Sequence, residues 1–309
     1  MRNIFRYSRK SSAGSLILLL SLLSVGLSQQ QADLTFDASV AHPAYTTTHP
    51  KVLFDEAHNN FHTASGRYKP FADLITNDGY QVIPNKEKFR PQSLQGHDIL
   101  VISNAFGSSV PGSKERGDPA FTKEECDAVR DWVQAGGSLL LIADHAPAGS
   151  AAANLASRVG VDMSKGFTAD PPNHERVALD TSWIRFSRAN KNLGDHPITR
   201  GRDMSERINR VLSFTGQSLK GPKESTALLK LSPQAYDVDD INNPDKAKIT
   251  SAAGRVQALA LPLGKGRIVV FGEAAMLTAQ NRNFGMNYPG TDNKQFALNV
   301  MHWLSGLLK

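Results

Sequence analysis

One cysteine, Cys126, stands in the whole chain of 309 residues. Without a second thiol no intramolecular disulfide can form, and a zinc site built from several cysteines is excluded. Stability must therefore come from a buried core, for which a 40% hydrophobic share is ordinary. Long apolar runs are missing as well. The one that stands out, from Ser15 to Leu27, is far shorter than the roughly 20 residues of a spanning helix. Blocks of like charge and basic stretches interleaved with aromatics are also absent, and aromatics make up 7% of the chain. Nucleic acid is accordingly not an expected partner.

The short apolar run follows Arg2, Arg6, Arg9 and Lys10 and ends near the small residues Gly26 and Ser28. That is the pattern of a signal peptide over residues 1–28, cleaved near Ser28, and it predicts export to a periplasmic or extracellular space. An uncleaved anchor is the alternative; no membrane span is expected after cleavage. Residues 1–28 hold four basic and no acidic residues, so their removal lowers the net charge from +6 to +2. Residues 29–50 are polar and show neither helical nor strand period, as a flexible lead-in would.

From Lys51 onward apolar runs alternate with helix-period segments: strand 51–55, helix 67–77, strands 80–83 and 98–103, helix 123–135, strand 138–143 and helix 150–158. Such alternation predicts an α/β fold with a doubly wound, mostly parallel sheet, flavodoxin-like in outline. Helix 123–135 carries the clearest signals. Thr122 and Glu125 form a capping box, Cys126, Val129 and Val133 share a face, and Gly136-Gly137 ends it. Cys126 is then a core residue. Residues 165–250 hold Pro171-Pro172 and strand-like pieces at 183–187, 210–215 and 225–231, and read as an inserted or capping region of a single domain spanning 51–309. A hairpin through Gly264-Lys265-Gly266 and a helix at 292–306, with Phe296, Val300, Leu304 and Leu307 on one stripe, close the chain.

In doubly wound sheets ligands bind beyond the carboxyl ends of the strands. There the chain places Asp55, Glu56, His58, Asn60 and His62 after strand 51–55, Asn104 after strand 98–103, Asp144 and His145 after strand 138–143, and Glu273 after the last strand. Ordinary turns favour Gly, Asn, Ser and Pro, so this supply of carboxylates and imidazoles predicts a polar site. Asp55, Glu56, His58, Asp144, His145 and Glu273 are its candidate catalytic residues, and Asn60, Asn104 and the turn residue His196 its candidate substrate contacts. A divalent metal is left open, with His58, Asp144 and His145 as ligands. His62 reads as a solvated loop residue, and His97 and His302 as structural ones.

The stretches VLFDEAHNN, DILVIS, FTKEECDAVRDWVQAGGSLLLIADH, HPITRG, GKGRIVVFGEAAMLTAQ and DNKQFALNVMHWLSG, in that order, resemble the class I glutamine amidotransferase-like superfamily. Within it the chain is similar to an exported branch and to trehalose-utilisation-type proteins. The resemblance implies the α/β fold, but amidotransferases of this kind carry a nucleophilic Cys after the strand equivalent to 138–143, where this chain has Ala143-Asp144-His145. Thiolate-dependent glutamine hydrolysis is thereby excluded. Two functions stay open: a hydrolase acting on a carbohydrate or other cell-envelope substrate, and a non-catalytic ligand-binding or scaffold domain. An assembly role for residues 165–250 would instead require exposed apolar patches there. Mass spectrometry of the native protein is expected to find an amino terminus near Gln29; an intact Met1 in a membrane fraction would support the anchor.

Overall fold

The computed structural model describes residues 31–175, 182–241, 243, 245–281 and 283–309. The expected signal peptide lies outside the described residues. Among those described, no helix is long and apolar enough to cross a membrane.

A sheet of nine strands forms the centre. Its members are β1 (Lys51–Asp55), β2 (Gln81–Asn85), β3 (Ile99–Ser103), β4 (Ser138–Ile142), β5 (Asp162–Met163), β6 (Leu219–Lys220), β7 (Thr226–Lys230), β8 (Val256–Leu263) and β9 (Gly266–Phe271). The spatial order is β2-β1-β3-β4-β9-β8-β6-β5, with β7 also pairing β8. From β2 to β9 neighbouring strands run parallel, and from β8 outward the pairing is antiparallel. β3 and β4 are buried along their full length, ILVIS and SLLLI, as parallel strands covered on both faces must be.

Among the described residues four longer helices cover this sheet: α1 (Lys69–Asn77), α2 (Lys123–Ala135), α3 (Ala148–Arg158) and α4 (Asn293–Leu304). One apolar layer joins Val52, Phe54, Val101, Leu140, Ile142 and Phe271 to α1 and α4. The other joins Leu53, Leu100, Ile102, Leu139 and Leu141 to α2 and α3. The capping box of α2 forms as expected, with the Glu125 amide donating to Thr122 Oγ1 and the Thr122 amide to Glu125 Oε2. Cys126 is buried in the second layer, and burial pushes its thiol up to about 11.

The β8–β9 hairpin turns at Gly264, whose φ of +60° and 2.5 Å clearance from the Gln134 carbonyl leave no room for a Cβ. Helix α4 ends at Leu304, so Leu307 falls outside the predicted stripe and is 37% exposed. Residues 165–250 are woven into the main body. β6 and β7 join the central sheet, and a hairpin of Trp183–Ser187 with Arg210–Phe214 contributes Ile184, Phe186, Val211 and Leu212 to the first layer. Residues 31–50, expected as a flexible lead-in, lie against the domain: Phe36 and Tyr45 touch the core, and the Ala44 amide donates to Asp78.

Leu141→Ala, in the fully buried middle of β4, is expected to cost about 2–5 kcal/mol in urea unfolding, whereas Leu307→Ala should stay within about 0.5 kcal/mol of the parent.

Candidate functional site at the carboxyl edge

The parallel strands β1, β3, β4 and β9 all end on one edge, and the candidate residues follow them there. They do not form one cleft. In the strand register Phe54 pairs Val101, which places Asp55 beside Ile102, and Ile102 pairs Leu141. Asp55 therefore points into the α2 layer. Asp144 follows Leu141 by three positions and points to the opposite layer.

On the α2 side the polar groups are closed off. His58 Nδ1 lies 2.9 Å from both carboxylate oxygens of Asp55, and Nε2 lies 2.9 Å from Glu125 Oε1. Phe89 and Phe121 flank the ring at 4.6 and 4.7 Å, and Asp55 and His58 are both 0% exposed. Asn60 Nδ2 donates to Asp55 at 3.0 Å. Burial pushes the Glu125 carboxyl up, yet the Thr122 amide, His58 and the Phe89 amide together hold it below its usual value. Glu56 is equally occupied, accepting from the Ala64 amide and pairing with Lys86. Asp55, His58 and Asn60 thus bind one another and Glu125, Glu56 is taken by Lys86 and the Ala64 amide, and no substrate can reach Asp55 or His58.

On the other face the edge is more open. Asn104, with φ at +44°, accepts the Asp144 amide at 2.9 Å on its Oδ1. Asp144 Oδ1 accepts the His145 amide at 2.8 Å, and Gln217 Nε2 donates to the carbonyls of Ala143 and Asp144. His145 Nδ1 donates to the Ala146 carbonyl at 2.8 Å, and Nε2 lies 3.9 Å from Asp144 Oδ1. The imidazole stacks on Phe167, with ring centres 4.1 Å apart. The side chains of His145 and Asp144 are 30% and 18% exposed, so solvent meets both.

Glu273 lies fully buried beneath them, its two oxygens accepting from the amides of Ala275 and Met276 at 2.6 and 2.9 Å. Burial and then the Asp144 charge push its carboxyl well above the usual range. Burial raises Asp144 too, opposed by His145, its amide and Asn104. Two neighbouring carboxyls so placed titrate as a pair, and the buried Glu273 keeps the proton.

Several members of this face were missed in the sequence. Tyr68, at the entrance to α1, donates to the Ala274 carbonyl at 2.7 Å and lies in the field of Glu273 and Asp144. His62 is not solvated: it is buried, stacks on Tyr68 at 4.5 Å and bonds Ser103 at 2.9 Å. Burial and Arg67 push its imidazole down to about 3, so it is neutral. His196 does not join the site. Its Nδ1 accepts the Ile198 amide and its ring packs on Trp303 beside Arg267, at the amino end of β9. The metal set drawn from His58, Asp144 and His145 is not assembled either, because His58 faces the other layer and both its nitrogens are taken; among the described residues no group of three or more His, Cys, Asp or Glu could hold an ion.

No protein-family model and no curated protein sequence matches the chain. Among solved structures, the mmIFT52 N-terminal domain overlays with a TM-score of 0.60 at 13% identity, covering 82% of this chain and 97% of that one. A cytoplasmic protein from Salmonella typhimurium LT2 overlays at 0.50 with 16% identity, covering 82% and 99%. A ThuA-like protein from Bacteroides uniformis overlays at 0.43 with 14% identity, covering 85% and 95%. These likenesses concern the α/β fold alone, and the last is too loose to carry more.

Glu125→Ala would leave His58 buried with one carboxylate and is expected to cost about 3–5 kcal/mol. The folded pKa of Glu125 lies below its ordinary 4.5. Its contribution is therefore complete above that pH and lost as pH falls through the depressed value. Urea midpoints measured down a pH series should show a shallower acid decline for Glu125→Gln than for the parent.

Proposed function

We infer that the protein is an exported hydrolase of the general acid–base type, acting on a carbohydrate or other cell-envelope substrate, with Asp144 as its proton-transferring group. One observation carries the reading. A solvent-reached carboxyl, raised by burial, sits over a buried carboxyl that keeps its own proton, at the sheet edge where α/β proteins bind ligands. A group so tuned takes and returns a proton nearer neutral pH than an ordinary aspartate.

In this mechanism ionised Asp144 removes a proton from an attacking water as the water oxygen bonds to the electrophilic carbon. The same proton then passes to the departing group, which leaves with the electron pair of the broken bond. His145, its Nε2 open and its ring fixed on Phe167, orients the water or substrate. Glu273 touches neither; it positions the loop through Ala275 and Met276. The place of Asp144-His145 matches the nucleophile turn of the glutamine amidotransferase-like superfamily resembled by the sequence, with carboxylate chemistry in place of a thiolate.

A second reading, a ligand-binding domain without turnover, draws support from the Asp55–His58–Glu125 set, whose groups serve structure alone. The two are separated by Asp144→Asn. Catalysis predicts a loss of about 10²-fold or more in turnover. Stability should not fall, because an aspartate with a raised folded pKa favours the protonated native state and its charge opposes folding at neutral pH. A screen of envelope glycans, esters and amides, with and without divalent metal, that finds no turnover abolished by Asp144→Asn or His145→Ala would leave the binding reading.

A further inference from the structure

The loops that follow β1 and β3, on one side of Asp144, carry two arginines set over phenylalanine rings. The Arg116 guanidinium carbon sits 3.6 Å from the Phe106 ring centre, and that of Arg67 sits 3.7 Å from the Phe61 ring centre. Phe61 and Phe106 pack edge to face at 6.2 Å, so the two cation–ring pairs form one continuous surface. It belongs to the Asp144 edge. The Phe61 amide donates to the carbonyl of Asn104, whose side chain holds the Asp144 amide. Gly117, next to Arg116, lies against Pro147 and Ser150, directly after His145-Ala146.

We propose that this surface recognises an oxyanion on the substrate, a uronate carboxylate or a phosphate ester carried by a glycan, with Arg116 as the specificity-determining contact. A guanidinium stacked on a ring has already lost much of its rotamer freedom, and stacking leaves its N–H edge for two parallel hydrogen bonds to an oxyanion. Burial pushes Arg116 down, and among the described residues no carboxylate opposes that shift. Arg67, also pushed down by burial, adds a second positive charge on the same side. A cation partly removed from water gains from a ligand that brings a negative charge. Phe167, stacked under His145, offers the neutral part of the glycan an aromatic face next to Asp144.

This inference rests on the hydrolase reading for the glycan, while its test reads binding alone. Isothermal titration of the whole mature protein with trigalacturonate, a sugar phosphate and a neutral trisaccharide should show at least one anionic probe binding ten-fold or more tighter than the neutral one, weakening with added salt. Trigalacturonate ahead of the sugar phosphate identifies a uronate, and the reverse order a phosphate ester. Arg116→Gln should remove that preference, and Arg116→Lys should restore it only in part. Circular dichroism and melting temperature serve to show that each variant is folded. Equal binding of charged and neutral probes, no binding of any, or a preference unchanged in Arg116→Gln overturns the proposal. Binding that depends on Arg116 without any turnover keeps it and removes the hydrolase. Turnover of a neutral glycan that depends on Asp144, with no anion preference, does the opposite.

Discussion

A buried imidazole held between two carboxylates fastens the carboxyl edge of the sheet, on which the candidate site is built. His58 ties the end of β1, through Asp55, to the first turn of α2, through Glu125, inside a wall of Phe89 and Phe121. Charges taken out of water are tolerated only when paired and hydrogen-bonded, and here both ring nitrogens face carboxylate oxygens. The loop that starts at Glu56 leaves from this fixed point. It crosses to the other layer and there delivers Phe61, His62 and Arg67, with Tyr68 immediately before α1. Loosening His58 would therefore be felt at Asp144 without any contact between them.

The two faces of the sheet consequently carry different kinds of polar chemistry on the same edge. On the α2 side the donors and acceptors are matched, exclude water and work as a clamp. On the α1 and α4 side two carboxyls lie close enough for one to raise the other, and only Asp144 meets solvent. The second arrangement costs stability, since the ionised Asp144 is disfavoured where it stands. Strain of that sort is expected at a functional site and has no structural use at a turn, which Asn or Ser would serve without the penalty.

The fold was legible because its signals are local and agree with one another. β1, β3, β4, α2 and the β8–β9 hairpin each carry their own pattern, and the Thr122–Glu125 box forms as read. The strand-end rule puts Asn104, Asp144, His145 and Glu273 beyond β3, β4 and β9, which end on one edge. It did not separate Asp55 and His58 from them, because in strands buried on both faces no alternation marks which side a residue takes. Only the pairing register reveals that Asp55 lies with Ile102 and Leu141. His62 failed for another reason: a loop histidine looks solvated until Tyr68, six positions on, folds back over it. His196 sits in a turn, and a turn does not disclose at which end of the sheet it lies.

Glu125 shows how one residue can satisfy a local rule and a distant one together. Its Oε2 closes the capping box with Thr122, the role its spacing announces, while Oε1 accepts from the Phe89 amide and meets His58. The box positions the carboxyl before the tertiary contact forms, so less side-chain freedom is lost when His58 docks. Helix α2 can in this way preset the partner of a histidine 67 residues earlier in the chain. The polar edge of β1 then follows from the start of a helix whose own sequence signals are the plainest in the protein.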